Sequence, residues 1–259
     1  MLRNVFAKTL RDQRRSLGWW SLGLLAVVAV YVLPYRTYLD SGVLSANTDT
    51  PIYQALGYDN SPAGYLQGTL FALLGPLLVV MMAVAAGARA IAGDEEAGAL
   101  ELVLAHPVSR TRLLLERFGT LAAAVCLLGL VIWAASVAAV ATVDMGIGAD
   151  RLAAATLGLV LLALGFGTVA LAAGAASGRR GLTLGVTAAL AVAAYLANTV
   201  APQVDALKGV QKWSPFYYYL GGDPLRTGVD PGHLAVLAAI PLVMVGLALW
   251  RLNRRDIAV

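Results

Sequence analysis

Residues 113–143 read LLLERFGTLAAAVCLLGLVIWAASVAAVATV, and this stretch decides the class of fold. After Arg117 it contains no charged residue. A helix needs about 20 apolar residues to cross the hydrocarbon core of a bilayer, and this run is long enough. It lacks the alternation of apolar and polar residues that is typical of a barrel strand. Because a helix satisfies its own backbone groups in lipid, we predict that the stretch is a membrane-spanning helix.

Five further apolar runs accompany this one. Hydrophobic residues make up 59% of the 259 residues and charged residues only 13%, whereas soluble domains carry roughly 25% charge. The mean hydropathy is +0.74. The sequence therefore predicts an all-α polytopic membrane protein in which residues 1–259 form a single transmembrane domain. The six predicted spans are residues 17–35, 66–92, 113–143, 152–177, 182–202 and 234–250.

Basic residues lie mostly on one side of these spans. Six spans place both termini on the same side, and by our assignment of the loops that side carries 14 of the 19 basic residues. The positive-inside rule then predicts that both termini, and the loop between the second and third spans, are cytoplasmic. The net charge of +4 follows from this topology, and a nucleic-acid partner is not needed to explain it.

The first 17 residues have the pattern of an amphipathic helix. On a helical wheel, Leu2, Phe6, Leu10, Gln13 and Leu17 share one narrow face, while Arg3, Lys8, Arg11, Arg14 and Arg15 lie opposite. Such a helix is expected to lie in the headgroup layer of the inner leaflet, with Phe6, Leu10, Arg11, Arg14 and Arg15 as its characteristic residues. The alternative is a basic tail that only sets topology.

An aromatic cluster lies in the loop between the fifth and sixth spans. Trp213, Phe216, Tyr217, Tyr218 and Tyr219 follow one another closely, and such residues favour the boundary between membrane and water. Two interpretations stay open for this loop. It either forms a plain interfacial belt or dips partly into the bilayer as a short re-entrant segment.

Several kinds of chemistry are not indicated by the sequence. The centres of the spans carry no ionisable residue, and such residues usually mark ion or proton pathways, so an ion-coupled carrier is disfavoured. The two histidines, His106 and His233, have no neighbours at metal-ligand spacing, so we expect neither a metal site nor catalytic residues. The chain has no phosphate-binding loop of the G-x-x-x-x-G-K-[ST] type. Any ATP that drives it must therefore be bound by a partner.

Residues 91–118, IAGDEEAGALELVLAHPVSRTRLLLERF, interrupt the apolar runs with a charged island. We predict a helix from about residue 93 to residue 105, with Asp94, Glu95 and Glu96 in its first turn, where acids favour the helix dipole. Pro107 ends that helix, and Ser109 or Thr111 caps the next one. The residues alone leave two readings open: a docking surface on the aqueous side, or a solvated connector.

The same island resembles the cytoplasmic loop of permeases of ATP-binding-cassette exporters of the type-2 class. The shared features are the acidic pair, the Gly-x-Leu-Glu that follows it and the Pro-Val-Ser-Arg before the third span. The opening F-x-K-x-L-R-D-x-R-R-S, the aromatic WSPFYYYLGGDPL and the closing RLNRRDI also resemble these permeases. The resemblance covers nearly the whole chain. Ala99 and Arg117 depart mildly from the residues that are usual in the family.

The resemblance implies a permease that pairs with separate ATPase subunits, two of each per transporter, in the plasma membrane of a prokaryote. ATP and Mg²⁺ would be bound by the ATPase, and this chain would bind no cofactor and would not be an enzyme. The loop of residues 93–112 would hold the coupling helix, gripped by the ATPase. Its expected contact residues are Asp94, Glu95, Glu96, Gly98, Glu101, Leu102 and Leu104.

The resemblance also implies a substrate path between two permease copies, near the first, second and fifth spans. Candidates for this path are Tyr31, Phe71, Met82, Tyr195 and Asn198, and candidates for an outer gate are Trp213, Phe216, Tyr217 and Tyr218. The few polar groups along the path favour a hydrophobic, drug-like or lipid-like substrate. Three alternatives to an exporter remain open: an ion-coupled carrier, an intramembrane enzyme, and a membrane subunit that serves maturation or signalling.

Overall fold

The computed structural model of the protein describes residues 5–42, 58–59, 61–98 and 109–254, apart from the side chains of residues 5–12, 206 and 253. All regular elements in these ranges are helices, and six are long and apolar enough to cross a membrane. The all-α polytopic fold with six spans is therefore confirmed. In chain order the spans are Gln13–Asp40, Pro62–Glu96, Arg110–Thr142, Ala149–Ser177, Arg180–Gln203 and Pro231–Leu252.

Most spans consist of a main helix with shorter pieces attached. The first span belongs to the helix Val5–Val32, followed by the short helix Tyr35–Asp40. The second is a run of α-helical and π-helical pieces without a break: Pro62–Leu66, Gln67–Leu74, Gly75–Ala88, Arg89–Gly93 and Asp94–Glu96. The remaining main helices are Arg110–Thr142, Ala149–Ser177, Arg180–Thr199 and Pro231–Arg254. Between the fifth and sixth spans lie the short helices Ala201–Gln203, Asp205–Trp213, Pro215–Leu220 and Pro224–Thr227.

Local sequence signals set several helix ends. The Ser61 hydroxyl accepts a hydrogen bond from the Gly64 backbone N–H at 3.1 Å, next to Pro62 in the first turn. Ser109 caps the third span in the same way, accepting from the Arg112 N–H at 3.2 Å, as predicted. Side-chain oxygens at this position replace the missing partners of the first turn. At the end of the fourth span Gly178 has a φ of +66°, a left-handed conformation that glycine adopts without strain.

The core lies around the second and fourth spans. In each of them 67% of the most apolar window is buried within the molecule, compared with 22% in the first, fifth and sixth spans. The second and fourth spans approach closely because Gly87 faces the Gly167 carbonyl, with no room for a Cβ between them. Small residues permit such close contact between helices in membranes. The outer spans are left with large apolar faces.

The N-terminal segment is continuous with the first span. The helix Val5–Val32 has no end near residue 17, where the sequence pattern predicts the change from an interfacial helix to a span. The location of residues 1–17 in the headgroup layer stays a prediction. Arg14 and Arg15 are exposed, whereas the side chains of Phe6, Leu10 and Arg11 lie outside the described part.

Candidate functional site

The three acids of the island lie at the end of the second span, which we call the acidic end of the bundle. Gly93, just before them, has right-handed helical dihedral angles (φ −68°, ψ −37°), so no helix begins there. The helix that contains Asp94, Glu95 and Glu96 instead ends near Gly98, whose φ is +65°. The predicted location in the first turn of a separate helix is therefore wrong. The periodicity of the island did not show where the preceding helix ends.

Acids at the C-terminal end of a helix are unfavourable to its dipole, and a guanidinium and a backbone N–H from other spans offset this here. Asp94 forms an ion pair with Arg117 of the third span, and both side chains are partly buried. The Glu96 carboxylate accepts a hydrogen bond from the backbone N–H of Arg180 at 2.8 Å. These contacts join the end of the second span to the starts of the third and fifth spans.

The other residues predicted for coupling follow this point in the chain. Gly98 is exposed, and a Cβ at this position would meet no atom within 4 Å. Glu101, Leu102 and Leu104 lie outside the described residues, so their role in coupling stays a prediction.

A large apolar cleft lies between the second and fifth spans. Its volume is about 460 Å³, within the range of about 300–1,000 Å³ that is usual for small-molecule sites. No charged side chain lines it among the residues that the structure describes. The wall from the second span is formed by Leu73, Pro76, Leu77, Val80, Met81, Val84 and Ala85, the wall from the fifth by Leu184, Ala188, Ala191, Val192 and Tyr195, and Phe216 completes the lining.

The structure brings only one of the five predicted path residues into this cleft. Tyr195 lines it. Phe71 and Met82 are buried in the core, with 1% and 3% of their surface exposed, because they lie on the opposite face of the second span. Tyr31 lies on the first span, away from the lining. Asn198 accepts a hydrogen bond from the Gln211 side chain at 3.4 Å through its amide oxygen, so this side chain bonds to the following loop.

The residues predicted for the outer gate separate into three environments at the other end of the bundle, which we call the aromatic end. Trp213 is 88% exposed. Phe216 is buried, lines the cleft and packs edge-on against Tyr195, with the ring centroids 5.3 Å apart. Tyr217 and Tyr218 are partly buried and pack against His233, the first with a tilted ring and the second edge-on. Of the four, Phe216 alone belongs to the cleft lining.

The helix Pro215–Leu220, which we call the aromatic helix, packs among the spans. The hydroxyl of Ser214 donates to the Ala194 carbonyl of the fifth span at 2.7 Å and caps the aromatic helix by accepting from the Phe216 N–H. These bonds tie the aromatic helix to the fifth span. Whether the segment is re-entrant or forms an interfacial belt stays a prediction.

The gate prediction omitted Tyr219, the most buried tyrosine of the cluster, with 3% of its surface exposed. Its hydroxyl donates to the Phe71 carbonyl oxygen of the second span at 2.8 Å. A phenol is protonated near neutral pH, so this group is available as a donor, and burial raises its pKa further. The spacing of three residues from Phe216 was a usable signal, because residues three apart share a helix face.

A charge cluster links two loops at the aromatic end. Arg226 forms ion pairs with Asp59 and with Asp223, and it donates to the Ser61 hydroxyl at 2.8 Å. Burial opposes ionisation of Asp59, but hydrogen bonds from Ser61 and Arg226 outweigh it and lower the pKa of this carboxyl. Burial raises the pKa of Asp223 despite the nearby Arg226. The cluster holds the segment before the second span against the loop before the sixth.

Comparison with known proteins identifies one family. The family described as ABC-2 family transporter protein matches residues 3–257, nearly the whole chain. No curated protein matches the sequence. Within the described ranges, no group of three or more His, Cys, Asp or Glu side chains is placed to hold a metal ion.

Proposed function

Because this chain belongs to the ABC-2 family of transporter proteins, we propose that it is the permease of an ATP-driven exporter for hydrophobic molecules. The permease would work with two ATPase subunits and a second permease copy, in the plasma membrane of a prokaryote with both termini cytoplasmic. The apolar cleft between the second and fifth spans would form one half of the substrate path.

The chemistry of the cleft is the observation that carries this proposal. Thirteen residues of the described part of the chain line it, and the Tyr195 hydroxyl is the single polar side-chain group among those thirteen. At about 25 cal/mol per Å² of apolar surface, such walls favour an apolar ligand and offer no partner to a charged one. This composition supports a drug-like or lipid-like substrate.

The exposed apolar side chains of the cleft walls support the proposal that a second copy of the permease packs against this one. Leu73, Leu77 and Met81 follow one another at helical spacing on the second span and are 41%, 54% and 48% exposed. The fifth span adds Val192 at 58%. An open apolar stripe of this kind is completed either by lipid or by protein, and two copies that face each other across it would enclose a central path.

The contacts at the acidic end supply a route for the force. In the proposed mechanism the ATPase grips the loop after Gly98 and pushes on the end of the second span. The ion pair of Asp94 with Arg117 and the bond from Arg180 to Glu96 would pass this movement to the third and fifth spans. Because the second and fifth spans form the walls of the cleft, the movement would change its width.

Two neighbouring alanines of the fifth span provide a matched test. Ala188 lines the cleft, whereas Ala189 is exposed and lies outside the lining. The permease is reconstituted in vesicles with its ATPase, and ATP-dependent movement of a lipophilic fluorescent dye is measured. We expect Ala188→Trp to reduce dye transport at least about 10-fold, since the indole projects into the cleft between its two walls. Ala189→Trp should leave transport within about two-fold.

Two results would contradict the proposal. One is equal transport by the two tryptophan variants, which would remove the cleft from the path. The other is dye movement that follows an ion gradient without ATP, which would favour an ion-coupled carrier. ATP hydrolysis by the complex without any dye movement would instead support a role in maturation or signalling.

A further inference from the structure

The hydrogen bond from Tyr219 to the second span is explained by the backbone hydrogen bonding of that span. Residues Gln67–Leu74 form a π-helix, and the Gly75 N–H bonds to the Leu70 carbonyl, five residues earlier. The next donor in this register is residue 76, which is proline and has no N–H. The Phe71 carbonyl therefore has no donor within its own helix, and the Tyr219 hydroxyl supplies one at 2.8 Å.

An ordinary α-helical register would change this partnership. In an α-helix each N–H bonds to the carbonyl four residues earlier, so the Gly75 N–H would reach Phe71 and the Tyr219 bond would no longer be needed. An unpaired carbonyl in a low-dielectric site costs about 1–3 kcal/mol. The bond from Tyr219 thus stabilises the π register over the α register.

The aromatic helix carries this bond to the cleft. Phe216 lies three residues before Tyr219, on the same face, and packs against Tyr195 in the wall formed by the fifth span. Ser214 anchors the start of the same helix to the Ala194 carbonyl. The aromatic helix therefore joins the second span, through Tyr219, to the fifth span, through Ser214 and Phe216, at one end of the cleft.

We propose that Tyr219 is a positioning residue that holds the aromatic helix over this end of the cleft while the second span is in its π register. When residues 67–74 change from the π to the α register, the Phe71 carbonyl accepts its hydrogen bond from the Gly75 N–H and no longer from Tyr219. Tyr219 is then released, and Phe216 leaves the cleft. The cover thereby responds to movement of the second span. That a substrate passes beneath this cover depends on the proposed function, whereas the existence of the cover does not.

Thiol labelling tests the cover without ATPase or substrate. Cys126 is the single native cysteine and is replaced by serine. A reporter is introduced as Ala191→Cys, at a partly buried position of the cleft wall one turn from Tyr195. The protein is placed in lipid nanodiscs and labelled with a water-soluble maleimide. We expect Tyr219→Phe to raise the labelling rate about 10-fold. The lost hydrogen bond contributes about 1.4 kcal/mol, which corresponds to a tenfold change in the fraction of open molecules. A reporter at the other end of the wall, Ala85→Cys, should respond less.

A matched control separates the cover from general loosening. The Tyr65 hydroxyl donates to the Tyr31 carbonyl at 2.6 Å, so Tyr65→Phe removes the same kind of bond from the same span. We expect this variant to change labelling of Ala191→Cys by less than about two-fold. In a Pro76→Ala background the new N–H serves the Phe71 carbonyl, so the effect of Tyr219→Phe should largely disappear.

Three outcomes would overturn the proposal. They are an unchanged labelling rate in Tyr219→Phe, an equal increase in Tyr65→Phe, and an undiminished effect in the Pro76→Ala background. If Tyr219→Phe does not fold, Gly158→Leu is used, since a Cβ there would already lie 3.0 Å from Cδ2 of Tyr219 and a longer side chain must displace the ring. The parental labelling rate in a folded Gly158→Leu protein would then be the overturning result. These failures would leave the proposed transport function standing, because that function is tested by dye movement.

Discussion

Replacement of Gly87 by alanine should weaken the contact between the two central spans. A Cβ at this position would lie well within 3.0 Å of the Gly167 carbonyl oxygen, a separation that real side chains do not adopt. Backbone lies on both sides of the contact, so neither partner can swing away. The two spans must therefore separate by roughly 1 Å, and a gap of that size removes a quarter to a half of the dispersion energy across the affected contacts.

The expected loss is about 1–3 kcal/mol in the free energy of unfolding, the usual cost of overfilling a packed core. The measurement is reversible unfolding in mixed micelles of a mild detergent and dodecyl sulfate, followed by circular dichroism. Gly167→Ala should cost less, because its nearest neighbour is the end of a leucine side chain at 3.0 Å. Gly185→Ala is the matched control, since its Cβ would meet no atom within 4 Å. If Gly87→Ala and Gly185→Ala unfold alike, the proposed packing of the central spans is refuted.

Three further outcomes follow from the charges and caps. Asp94→Arg should lower stability by about 1–3 kcal/mol, since it removes the carboxylate that pairs with Arg117 and places a second positive charge beside that guanidinium. Adding Arg117→Asp should recover part of the loss in the same unfolding assay, and no recovery would contradict the pairing. Burial raises the pKa of Asp59, but hydrogen bonds lower it by more, so the pKa in the folded protein is below the usual value. The ionised carboxylate therefore stabilises the fold above about pH 4, and this stabilisation is lost as the pH falls through the folded pKa. An acid titration of unfolding should be shallower in Asp59→Asn, and an unchanged profile would count against this. Ser214→Ala removes a cap and a bond between elements and should cost about 1–2 kcal/mol, whereas the exposed Ser41→Ala should cost little, so equal losses would argue against the anchor.

The six spans were predictable because each depends on local composition. A run of about 20 apolar residues is stable in lipid as a helix whatever its neighbours are. The cap at Ser109 was equally local, since the side chain bonds to a backbone N–H only three residues away. The predicted span limits differ from those of the structure by a few residues, because apolar composition does not show how far a helix continues into polar sequence. The second span, for example, continues through Asp94.

The faces of the spans were not predictable from the sequence. A helix that is apolar all round carries no stripe to show which side faces protein. Phe71 and Met82 therefore looked as suitable for a path as Tyr195, yet they point into the core while Tyr195 lines the cleft. The choice depends on where the fourth span approaches, and that depends on the Gly87 contact.

The sequence by itself determined that this is a six-span membrane protein, and the match over residues 3–257 assigns it to the ABC-2 transporter family. Only the tertiary structure decided that the acids pair with Arg117 and the Arg180 backbone, that the cleft lies between the second and fifth spans, and that Tyr219 serves the Phe71 carbonyl. The physical reason is distance along the chain. Tyr219 and Phe71 are 148 residues apart, and a hydrogen bond over that separation exists only once the helices between them have packed.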